Sequence, residues 1–320
     1  MILSLTARFV VLLGLILWTN PTLLPTTQET FRKDEFDLHY GPWGIVCGAS
    51  EGIGLEWVYA LAERGVNVVM IGRDAAKLNA ARAEVQRIHA YSQFLAVELD
   101  LGNVDALRKI SVEFAKLDVG ILVYNAAYSP VGSFASYGTE MHERTVNVNV
   151  LTPTILISAL VPKMIQKKKG AVILMSSVDG EGCSPFVTNY SGTKAWATRM
   201  AEGLWFELRP HGIDVLGVVA GLTTTTSLSK VLDPQKRKDL LSLMESSPRN
   251  VVIESLRALG KGHPVVITGL GSKLVTWMRW FLPRSVECTL MSAMEHVLRP
   301  EEERQTAARA MMTEALKAEL

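Results

Sequence analysis

The sequence predicts an α/β fold built on a parallel sheet of seven strands with helices on both faces. From Trp43 onward, short apolar runs alternate with amphipathic stretches of helical length. Each run is rich in Val, Ile or Leu and apolar on both faces, which is what a strand buried between two helical layers requires. The predicted strands span residues 44–46, 66–71, 93–98, 121–124, 171–175, 214–219 and 265–268.

The predicted helices lie between these strands, at residues 53–64, 75–89, 104–116, 140–168 and 190–209. Regular strand–helix alternation is typical of a doubly wound sheet. The alternation breaks after Leu222, where a run of threonines leads into helical sequence around residues 233–245. We therefore predict one main domain over residues 40–270, in which residues 221–260 form a lid at the carboxyl edge of the sheet.

Two further segments flank this domain. Residues 1–28 form a hydrophobic N-terminal segment with one charge before Leu24, and we predict a retained membrane anchor. A cleaved signal peptide and a soluble extension are the alternatives. Residues 271–320 form a predicted helical extension, whose first part carries Trp277, Trp280 and Phe281 on an amphipathic stretch. That stretch could pack on the core, form a subunit interface or lie on a bilayer.

Composition excludes several classes of function. Hydrophobic residues make up 48% of the chain and charged residues 20%, which predicts a globular protein. The net charge of +1 gives no electrostatic argument for a nucleic-acid partner. Cys47, Cys183 and Cys288 are far apart and form no CxxC pair, so a disulfide framework or zinc site is not expected and a reducing compartment fits. The sequence has no HExxH signature of a zinc metalloprotease.

A glycine-rich turn follows the first predicted strand and opens a helix. It reads Gly48-Ala49-Ser50-Glu51-Gly52-Ile53-Gly54. Gly48 lets the chain turn sharply, and Gly52 and Gly54 let backbone approach a pyrophosphate, while the helix N-terminus offers free N–H groups. A tight turn alone would not need a strand before the glycines and a helix after them. The segment therefore predicts a Rossmann-like dinucleotide site that includes Ser50 and Ile53.

The end of the second strand favours NADP(H) over NAD(H). An acidic residue about twenty positions after the glycines would bind the ribose 2′-hydroxyl of NAD. This chain instead has Arg73, whose guanidinium suits a 2′-phosphate. A solvated Arg73 is the alternative, and Asp74 could itself contact a ribose.

Tyr190 and Lys194 form a YxxxK pair on a predicted helix, where residues four apart share a face. A neighbouring ammonium and an oxidised nicotinamide would favour the phenolate of Tyr190 and lower its pKa. The tyrosine could then exchange a proton with a carbonyl or alcohol oxygen. A YxxxK pair is common by itself, so its surroundings decide its meaning.

Those surroundings resemble the short-chain dehydrogenase/reductase family over roughly residues 43–268. The family carries, in this order, a glycine-rich turn, an Asn-Asn-Ala-Gly strand end, a helix asparagine, a serine thirteen residues before a tyrosine, and YxxxK. The matching positions here are Gly48–Gly54, Tyr124-Asn125-Ala126-Ala127, Asn149, Ser177, Tyr190 and Lys194.

The resemblance implies a catalytic set. Tyr190 would be the general acid/base, Ser177 would hydrogen-bond the substrate oxygen, and Lys194 would also bind the nicotinamide ribose. Asn149 would hold the long helix and a water that relays protons to Lys194, with Asn147 as the rival for that role.

The resemblance also implies cofactor contacts. Asp100 and Leu101 would lie at the adenine, Asn125 and Ala126 would line the cleft, and Gly221 and Thr225 would contact the carboxamide. Four supporting positions depart from the family pattern, namely Cys47, Tyr124, Ala127 and Ala220. They leave every proton-transfer group in place and bear on cofactor geometry alone.

We therefore expect an NAD(P)-dependent enzyme that interconverts a carbonyl and a secondary alcohol on a hydrophobic substrate. The chain is similar to 17β-hydroxysteroid dehydrogenases and microsomal 3-ketoacyl-CoA reductases in its hydrophobic N-terminus and its run at residues 118–123. A catalytically silent scaffold and an isomerase or dehydratase on the same fold are the alternatives. The expected setting is a membrane beside a nicotinamide pool, at the cytosolic face or endoplasmic reticulum, with a homodimer or homotetramer as the family tendency.

Overall fold

The computed structural model describes residues 36–224 and 245–298, and its centre is one parallel sheet of seven strands. The strands are β1 (Trp43–Cys47), β2 (Asn67–Gly72), β3 (Phe94–Glu98), β4 (Val119–Tyr124), β5 (Gly170–Ser177), β6 (Ile213–Ala220) and β7 (Val265–Ile267). Their order in the sheet is β3-β2-β1-β4-β5-β6-β7. The predicted doubly wound fold is confirmed.

The order of the strands reverses beside β1, which pairs with β2 on one side and β4 on the other. The chain therefore leaves β1 and β4 toward opposite faces of the sheet and opens a crevice at their carboxyl ends. In open α/β sheets this crevice is where ligands bind.

Ten α-helices pack around the sheet within the described ranges. They are α1 (Phe36–Tyr40), α2 (Gly52–Ala62), α3 (Ala75–Ile88), α4 (Val104–Lys116), α5 (Thr139–Val146), α6 (Thr152–Lys167), α7 (Thr188–Leu208), α8 (Pro248–Ala258), α9 (Leu270–Arg279) and α10 (Arg284–Leu298). Side-chain caps set several starts, because Asp74, Asn103 and Ser247 each accept the backbone N–H three residues on.

The core consists of one apolar layer on each face of the sheet. Val46 points into the layer that holds Trp57 and Leu61 of α2, whereas its neighbours Ile45 and Cys47 point into the layer that holds Leu156 of α6. This alternation explains why the strands are apolar on both faces. Burial of each such large side chain contributes about 1.5–3 kcal/mol.

The predicted helix at residues 140–168 is not a regular α-helix. It divides into α5, a π-helical turn at Asn147–Leu151, and α6. Within the described ranges, Thr139–Lys167 is also the one helix long and apolar enough to span a membrane by length and composition, and half of its apolar window is buried. Its packing on β4, β5 and α4 accounts for that apolar character.

The expectation that the chain lacks a disulfide is wrong. Cys183 and Cys288 are bonded, with their Cα atoms 5.2 Å apart across a sequence separation of 105. Sequence spacing could not reveal this pair, because α10 brings Cys288 to the loop after β5 only in the folded chain. The inference of a reducing compartment thereby loses its basis. Cys47 is the free cysteine and is buried in β1.

Three predicted features lie outside the described residues. They are the hydrophobic segment 1–28, most of the helical part of the lid, and residues 299–320 of the predicted helical extension. The described parts of the lid are residues 221–224 and 245–260, and a backbone bridge joins Thr223 to Ser246. The division into a main domain, a lid and two flanking segments therefore stays a prediction.

The disulfide predicts the number of reactive thiols. The chain denatured without reductant should expose one thiol, from Cys47, and three after reduction, as measured with a thiol-reactive dye. Cys288→Ser should expose two thiols under both conditions, because Cys183 is then free. It should also lower the free energy of unfolding by up to about 4.7 kcal/mol, since it opens a loop of roughly 100 residues. Three thiols in the unreduced wild-type chain would contradict the bond.

Candidate active site

The glycine-rich turn lies at the carboxyl end of β1, in the crevice. Gly48 and Gly52 have φ angles of +76° and +61°, in the left-handed region that favours glycine. The backbone N–H groups of Gly48 and Ala49 both donate to the carbonyl of Ile71, at 2.8 Å and 3.1 Å. The turn is thus tied to the end of β2.

Gly54 has no room for a side chain. A Cβ atom built there would lie 1.9 Å from the carbonyl oxygen of Gly48 and 2.7 Å from Nδ2 of Asn125. Asn125 donates from the same Nδ2 to the Gly48 carbonyl at 3.2 Å. The backbone of Ala126 is equally close, 3.0 Å from a Cβ built at Gly48. Asn125 and Ala126 therefore hold the turn against the end of β4.

The N-terminus of α2 is available to an anion. Its N-cap residue Glu51 makes no side-chain capping bond, so the first N–H groups, near Gly52 and Ile53, lack that partner. Ser50 lies beside the end of β2, where a Cβ built at Gly72 would come within 3.8 Å of its Oγ. The close-packed turn and the open helix end fit the pyrophosphate and ribose of a dinucleotide.

Arg73 and Asp74 lie at the rim of this crevice and make different contacts. Both are exposed. Asp74 Oδ1 accepts the backbone N–H of Lys77 at 3.0 Å and so caps α3. That bond engages the carboxylate in the start of a helix, whereas the structure gives the Arg73 side chain no hydrogen-bond partner among the described residues. Within the described ranges, Arg73 is therefore a cation available to a ligand at this rim.

Asp100 follows β3 and is held by its neighbours. Oδ1 of Asp100 accepts the Gly102 N–H at 2.9 Å, and both carboxylate oxygens lie 2.9 Å from Nη2 of Arg144. Burial raises the pKa of Asp100, but these hydrogen bonds and the charges of Arg144 and Arg73 outweigh it and leave the pKa below its ordinary value. The adjacent Leu101 is buried, and its carbonyl accepts the Thr152 hydroxyl at 2.6 Å.

Ser177, Tyr190 and Lys194 meet at the carboxyl end of β5. Ser177 is the last residue of that strand, and its side chain is within hydrogen-bonding reach of Tyr190 on α7. Lys194 lies one turn further along α7, with Nζ 5.5 Å from the centre of the Tyr190 ring and donating to the Met175 carbonyl at 2.6 Å. Lys194 is 5% exposed, so its charge is largely withdrawn from water.

The protonation of this set differs from the expectation based on sequence. Burial raises the pKa of Tyr190, the Asp179 carboxylate raises it further, and the hydrogen bond to Ser177 opposes both. Burial lowers the pKa of Lys194 to about 8, although Asp179 acts in the opposite direction. Desolvation thus raises the pKa of Tyr190 more than its hydrogen bond to Ser177 lowers it. The lowering expected from an oxidised nicotinamide stays a prediction.

Asn149 occupies the π-helical turn and is buried. Its Oδ1 accepts the Tyr128 N–H at 2.8 Å, and its Nδ2 donates to the Tyr128 carbonyl at 3.0 Å and to the Thr193 hydroxyl at 2.9 Å. Thr193 directly precedes Lys194, so Asn149 bonds the neighbour of Lys194, and no such bond joins its rival Asn147. π-turns of this kind occur often at functional sites.

Tyr124, one of the departures from the family pattern, supports the same turn. Its hydroxyl is buried and donates to the carbonyl of Val148. A π-turn displaces carbonyls from their regular partners, so a donor from β4 satisfies one that would otherwise be buried without a bond.

The loop after β5 contains a residue that sequence reasoning missed. Asp179 lies in a 3-10 turn, Val178–Glu181, and shares hydrogen bonds with Ser177 in both directions. Arg279 of α9 donates to the Val178 carbonyl and pairs with Glu287 of α10, which also accepts the Cys183 N–H at 3.0 Å. Nothing in the local sequence indicates that C-terminal residues hold this loop.

A small, open cleft lies beside Tyr190. It is lined by Pro130, Gly132, Phe134, Tyr137, His142, Phe186, Val187, Thr188, Asn189 and Tyr190. Phe134 stacks on His142 with 4.2 Å between the ring centres, and Phe186 has a φ of +65°, unusual for an aromatic residue. Sequence reasoning missed these wall residues, since their only signal is a group of aromatic residues between strands.

The loop after β6 closes the crevice on the remaining side. A Cβ built at Gly221 would lie 2.0 Å from Oγ of Ser272 at the start of α9, so a side chain there would displace that hydroxyl. Thr225, the other predicted residue of this loop, lies outside the described residues. The remaining predicted site residues lie at the carboxyl ends of the strands or on the helices and turns that follow them.

Comparisons with known proteins agree with this geometry. The model of the short chain dehydrogenase family matches residues 43–236. A 7beta-hydroxysteroid dehydrogenase of Mediterraneibacter gnavus is 32% identical over 227 residues, 71% of this chain and 86% of that protein. A very-long-chain 3-oxoacyl-CoA reductase of Mycosarcoma maydis is 29% identical over 281 residues, 84% of this chain and 78% of that protein.

A solved structure is also similar. The short-chain dehydrogenase of Sphingobium yanoikuyae in complex with NADPH superposes with a TM-score of 0.65 at 26% identity, covering 78% of this chain and 95% of that one. The matched family region contains the glycine turn, the end of β5 and α7. The chain therefore belongs to the short-chain dehydrogenase family and is an NAD(P)-dependent oxidoreductase that acts on CH–OH groups.

Proposed function

We propose that this chain interconverts a carbonyl and a secondary alcohol on a hydrophobic substrate, with NADP(H) as cofactor and Tyr190 as general acid/base. The observation that carries the proposal is the convergence of Ser177, Tyr190 and Lys194 at the end of β5, between the dinucleotide crevice and the aromatic cleft. A substrate in that cleft would present its oxygen to two hydroxyl groups.

Each side chain has a part in the proton transfer. A nicotinamide held in the crevice would supply or accept the hydride at the reacting carbon. The Tyr190 hydroxyl gives its proton to the carbonyl oxygen during reduction and takes it back during oxidation. Ser177 bonds the same oxygen and stabilises the charge that develops on it. Lys194 places an ammonium beside the phenolate that Tyr190 becomes, and Asn149 holds the adjoining Thr193.

Two alternatives fit the same fold. A silent scaffold would bind nucleotide without turnover, and an isomerase or dehydratase would form product without net cofactor oxidation. The presence of Asn149, Ser177, Tyr190 and Lys194 together favours an active oxidoreductase over a scaffold. A panel of ketones and alcohols that includes a 7-oxosteroid and a 3-oxoacyl-CoA, followed by nicotinamide absorbance with both cofactors, separates the three.

Arg73 supports the choice of NADP(H). Its exposed guanidinium follows β2, where a 2′-phosphate would lie, and its charge reaches Asp100 across the adenine side of the crevice. Asp74, the residue that could have contacted a ribose, instead caps α3. The related Sphingobium enzyme was solved with NADPH, which is consistent with this choice.

A hydrophobic substrate follows from the cleft and the relatives. Aromatic side chains from the β4–α5 and β5–α7 connections form its wall. The relatives named above act on hydroxysteroids and on very-long-chain 3-oxoacyl-CoA, both of which carry large apolar groups. Lid residues Leu228, Val231, Leu240, Leu241 and Leu243 would complete such a pocket or only pack the lid onto the body, and they lie outside the described residues.

Membrane association is part of the proposal. The apolar segment 1–28 would anchor the chain, and α9 carries exposed Leu270, Leu274 and Met278 at helical spacing, followed by exposed Trp280 and Phe281. This surface could lie on a bilayer or join two subunits of a dimer or tetramer. A catalytic domain held at the cytosolic face or endoplasmic reticulum would receive substrates that partition into lipid.

The role of Tyr190 predicts a large loss of turnover. Tyr190→Phe keeps the ring and removes the proton donor, so kcat should fall by about two or more orders of magnitude. Cofactor affinity, measured by quenching of protein fluorescence, should change little. Tyr91→Phe is the matched control, because Tyr91 is fully exposed away from the crevice, and it should retain activity. Turnover of Tyr190→Phe within a few-fold of wild type would exclude the mechanism.

The role of Arg73 predicts a change in cofactor selectivity. Loss of a charge-assisted bond worth about 1.5–3 kcal/mol should weaken NADPH binding about ten-fold or more in Arg73→Ala, with NADH binding unchanged. Titration of both cofactors measures this. Arg87→Ala, at the far end of α3, removes the same charge outside the crevice and should leave both affinities unchanged. Equal losses for the two cofactors would show that Arg73 meets no 2′-phosphate.

The anchor predicts a fractionation behaviour. The full-length chain expressed in a eukaryotic cell should sediment with membranes and resist a carbonate wash, because an apolar span is held by the bilayer rather than by charge. A chain lacking residues 1–25 should leave the washed membrane and keep its activity on a water-soluble ketone. A full-length chain found wholly in the soluble fraction would overturn the anchor.

A further inference from the structure

We propose that Asp179 is a positioning residue that orients Ser177 and holds Tyr190 in its proton-donating form, which extends carbonyl reduction to higher pH. The inference rests on the proposed function, because it assigns to Asp179 an effect on the tyrosine that transfers the proton. It adds a group that lies two residues beyond Ser177 and outside the predicted catalytic set.

The first step is the geometry between Asp179 and Ser177. The Ser177 hydroxyl donates to Oδ2 of Asp179 at 3.1 Å, while the Asp179 backbone N–H donates to Oγ of Ser177 at 3.2 Å. These reciprocal bonds leave the serine side chain one orientation. The serine oxygen is thereby held at a fixed position, from which its proton, once released by the carboxylate, can be donated to the substrate oxygen.

The second step is the position of the carboxylate, which is fixed from both ends. Oδ1 of Asp179 accepts the Ser184 hydroxyl at 3.1 Å, and its backbone carbonyl accepts the Ser191 hydroxyl at 2.7 Å. The preceding carbonyl, of Val178, accepts from Arg279. Asp179 therefore stays beside the reacting groups when the substrate enters.

The third step concerns the charge of the Asp179 carboxylate. Among the residues that the structure describes, the partners of the Asp179 carboxylate are the hydroxyls of Ser177 and Ser184, and no Lys or Arg forms a salt bridge with it. Hydroxyl groups stabilise a carboxylate without cancelling its charge. The negative charge therefore acts on the other ionisable groups of the site.

Three ionisable groups from three elements lie near Tyr190 or near Ser177 beside it. Lys194 lies on the same helix, Asp179 on the turn after β5, and His142 on α5 across the cleft. Burial raises the pKa of Tyr190 most, and the charge of Asp179 adds to the rise. The same charge opposes the fall in the pKa of Lys194 that burial causes. A carboxylate in this position favours the state in which Tyr190 is a neutral phenol and Lys194 is a charged ammonium.

The consequence follows from the proton balance. In reduction, the hydride brings two electrons to the carbonyl carbon, the O–H bond of Tyr190 breaks, and its proton forms the O–H bond of the alcohol, which leaves a phenolate. Oxidation needs the phenolate at the start, to accept that proton. When the Tyr190 phenolate is harder to form, the protonated tyrosine that reduction needs stays populated at higher pH. Oxidation, which needs the phenolate, then requires more alkaline solution.

The test compares pH profiles of kcat/KM in both directions for wild type and Asp179→Asn, on the carbonyl–alcohol pair that the panel above identifies. Asparagine keeps the shape and an acceptor oxygen but removes the charge. The midpoint of both profiles should move about one pH unit toward acid, the scale of a neighbouring charge. Asp179→Glu, which keeps the charge, should restore the midpoint toward wild type even if kcat falls.

A matched control and a second variant keep the result clear. Glu181→Gln removes a carboxylate from the same turn that accepts the Thr198 hydroxyl at 2.9 Å, and it should leave the midpoint unchanged. If Asp179→Asn loses cofactor binding, Asp179→Ser replaces it with a smaller neutral side chain and the same expected shift. A purely structural role would lower kcat in these variants without moving the midpoint.

The outcomes separate the two proposals. An inactive Tyr190→Phe together with an unshifted or alkaline-shifted Asp179→Asn profile overturns the role of Asp179 and leaves the proposed function intact. An active Tyr190→Phe overturns both. An acid shift in Asp179→Asn that Glu181→Gln does not share supports the inference.

Discussion

The parallel pairing of every strand is the constraint on which the rest of this molecule depends. Because all seven strands run in one direction, all of their carboxyl ends reach the same edge, and the reversal of order beside β1 opens a crevice there. The residues that border the crevice follow directly from the strand ends, namely Gly48, Arg73, Asp100, Asn125, Ser177 and Gly221. The site is thus assembled by the backbone from positions far apart in sequence.

Burial then gives this edge its chemistry. Lys194 is buried among α7, β5 and the turn after β5, and Tyr190 is half-buried beside it. Desolvation lowers the pKa of Lys194 and raises the pKa of Tyr190, which favours the neutral form of each side chain. A buried charge needs compensation, and here the Met175 carbonyl and the field of Asp179 provide it for the ammonium. The same desolvation strengthens every electrostatic contact that a substrate oxygen would make.

The C-terminal helices are coupled to this edge rather than appended to the fold. Arg279 and Glu287 form an ion pair that is 5% and 1% exposed, and each also bonds the loop that follows Ser177. The disulfide between Cys183 and Cys288 joins the same loop to α10. Removal of one partner of a buried ion pair leaves an uncompensated charge. A substitution in α9 or α10 should therefore alter the position of the loop that follows Ser177.

The sequence by itself determined the elements whose causes are local. Apolar periodicity indicated the seven strands, the glycine spacing indicated the turn after β1, and the four-residue spacing placed Lys194 beside Tyr190, because one or two turns of backbone suffice to produce each feature. The order of these motifs indicated the family. Only the tertiary structure decided the π-turn that aims Asn149 at Thr193, the raised pKa of Tyr190, the disulfide and the aromatic cleft. Each of these depends on groups from separate elements that meet only when the sheet and its two helical layers are packed together.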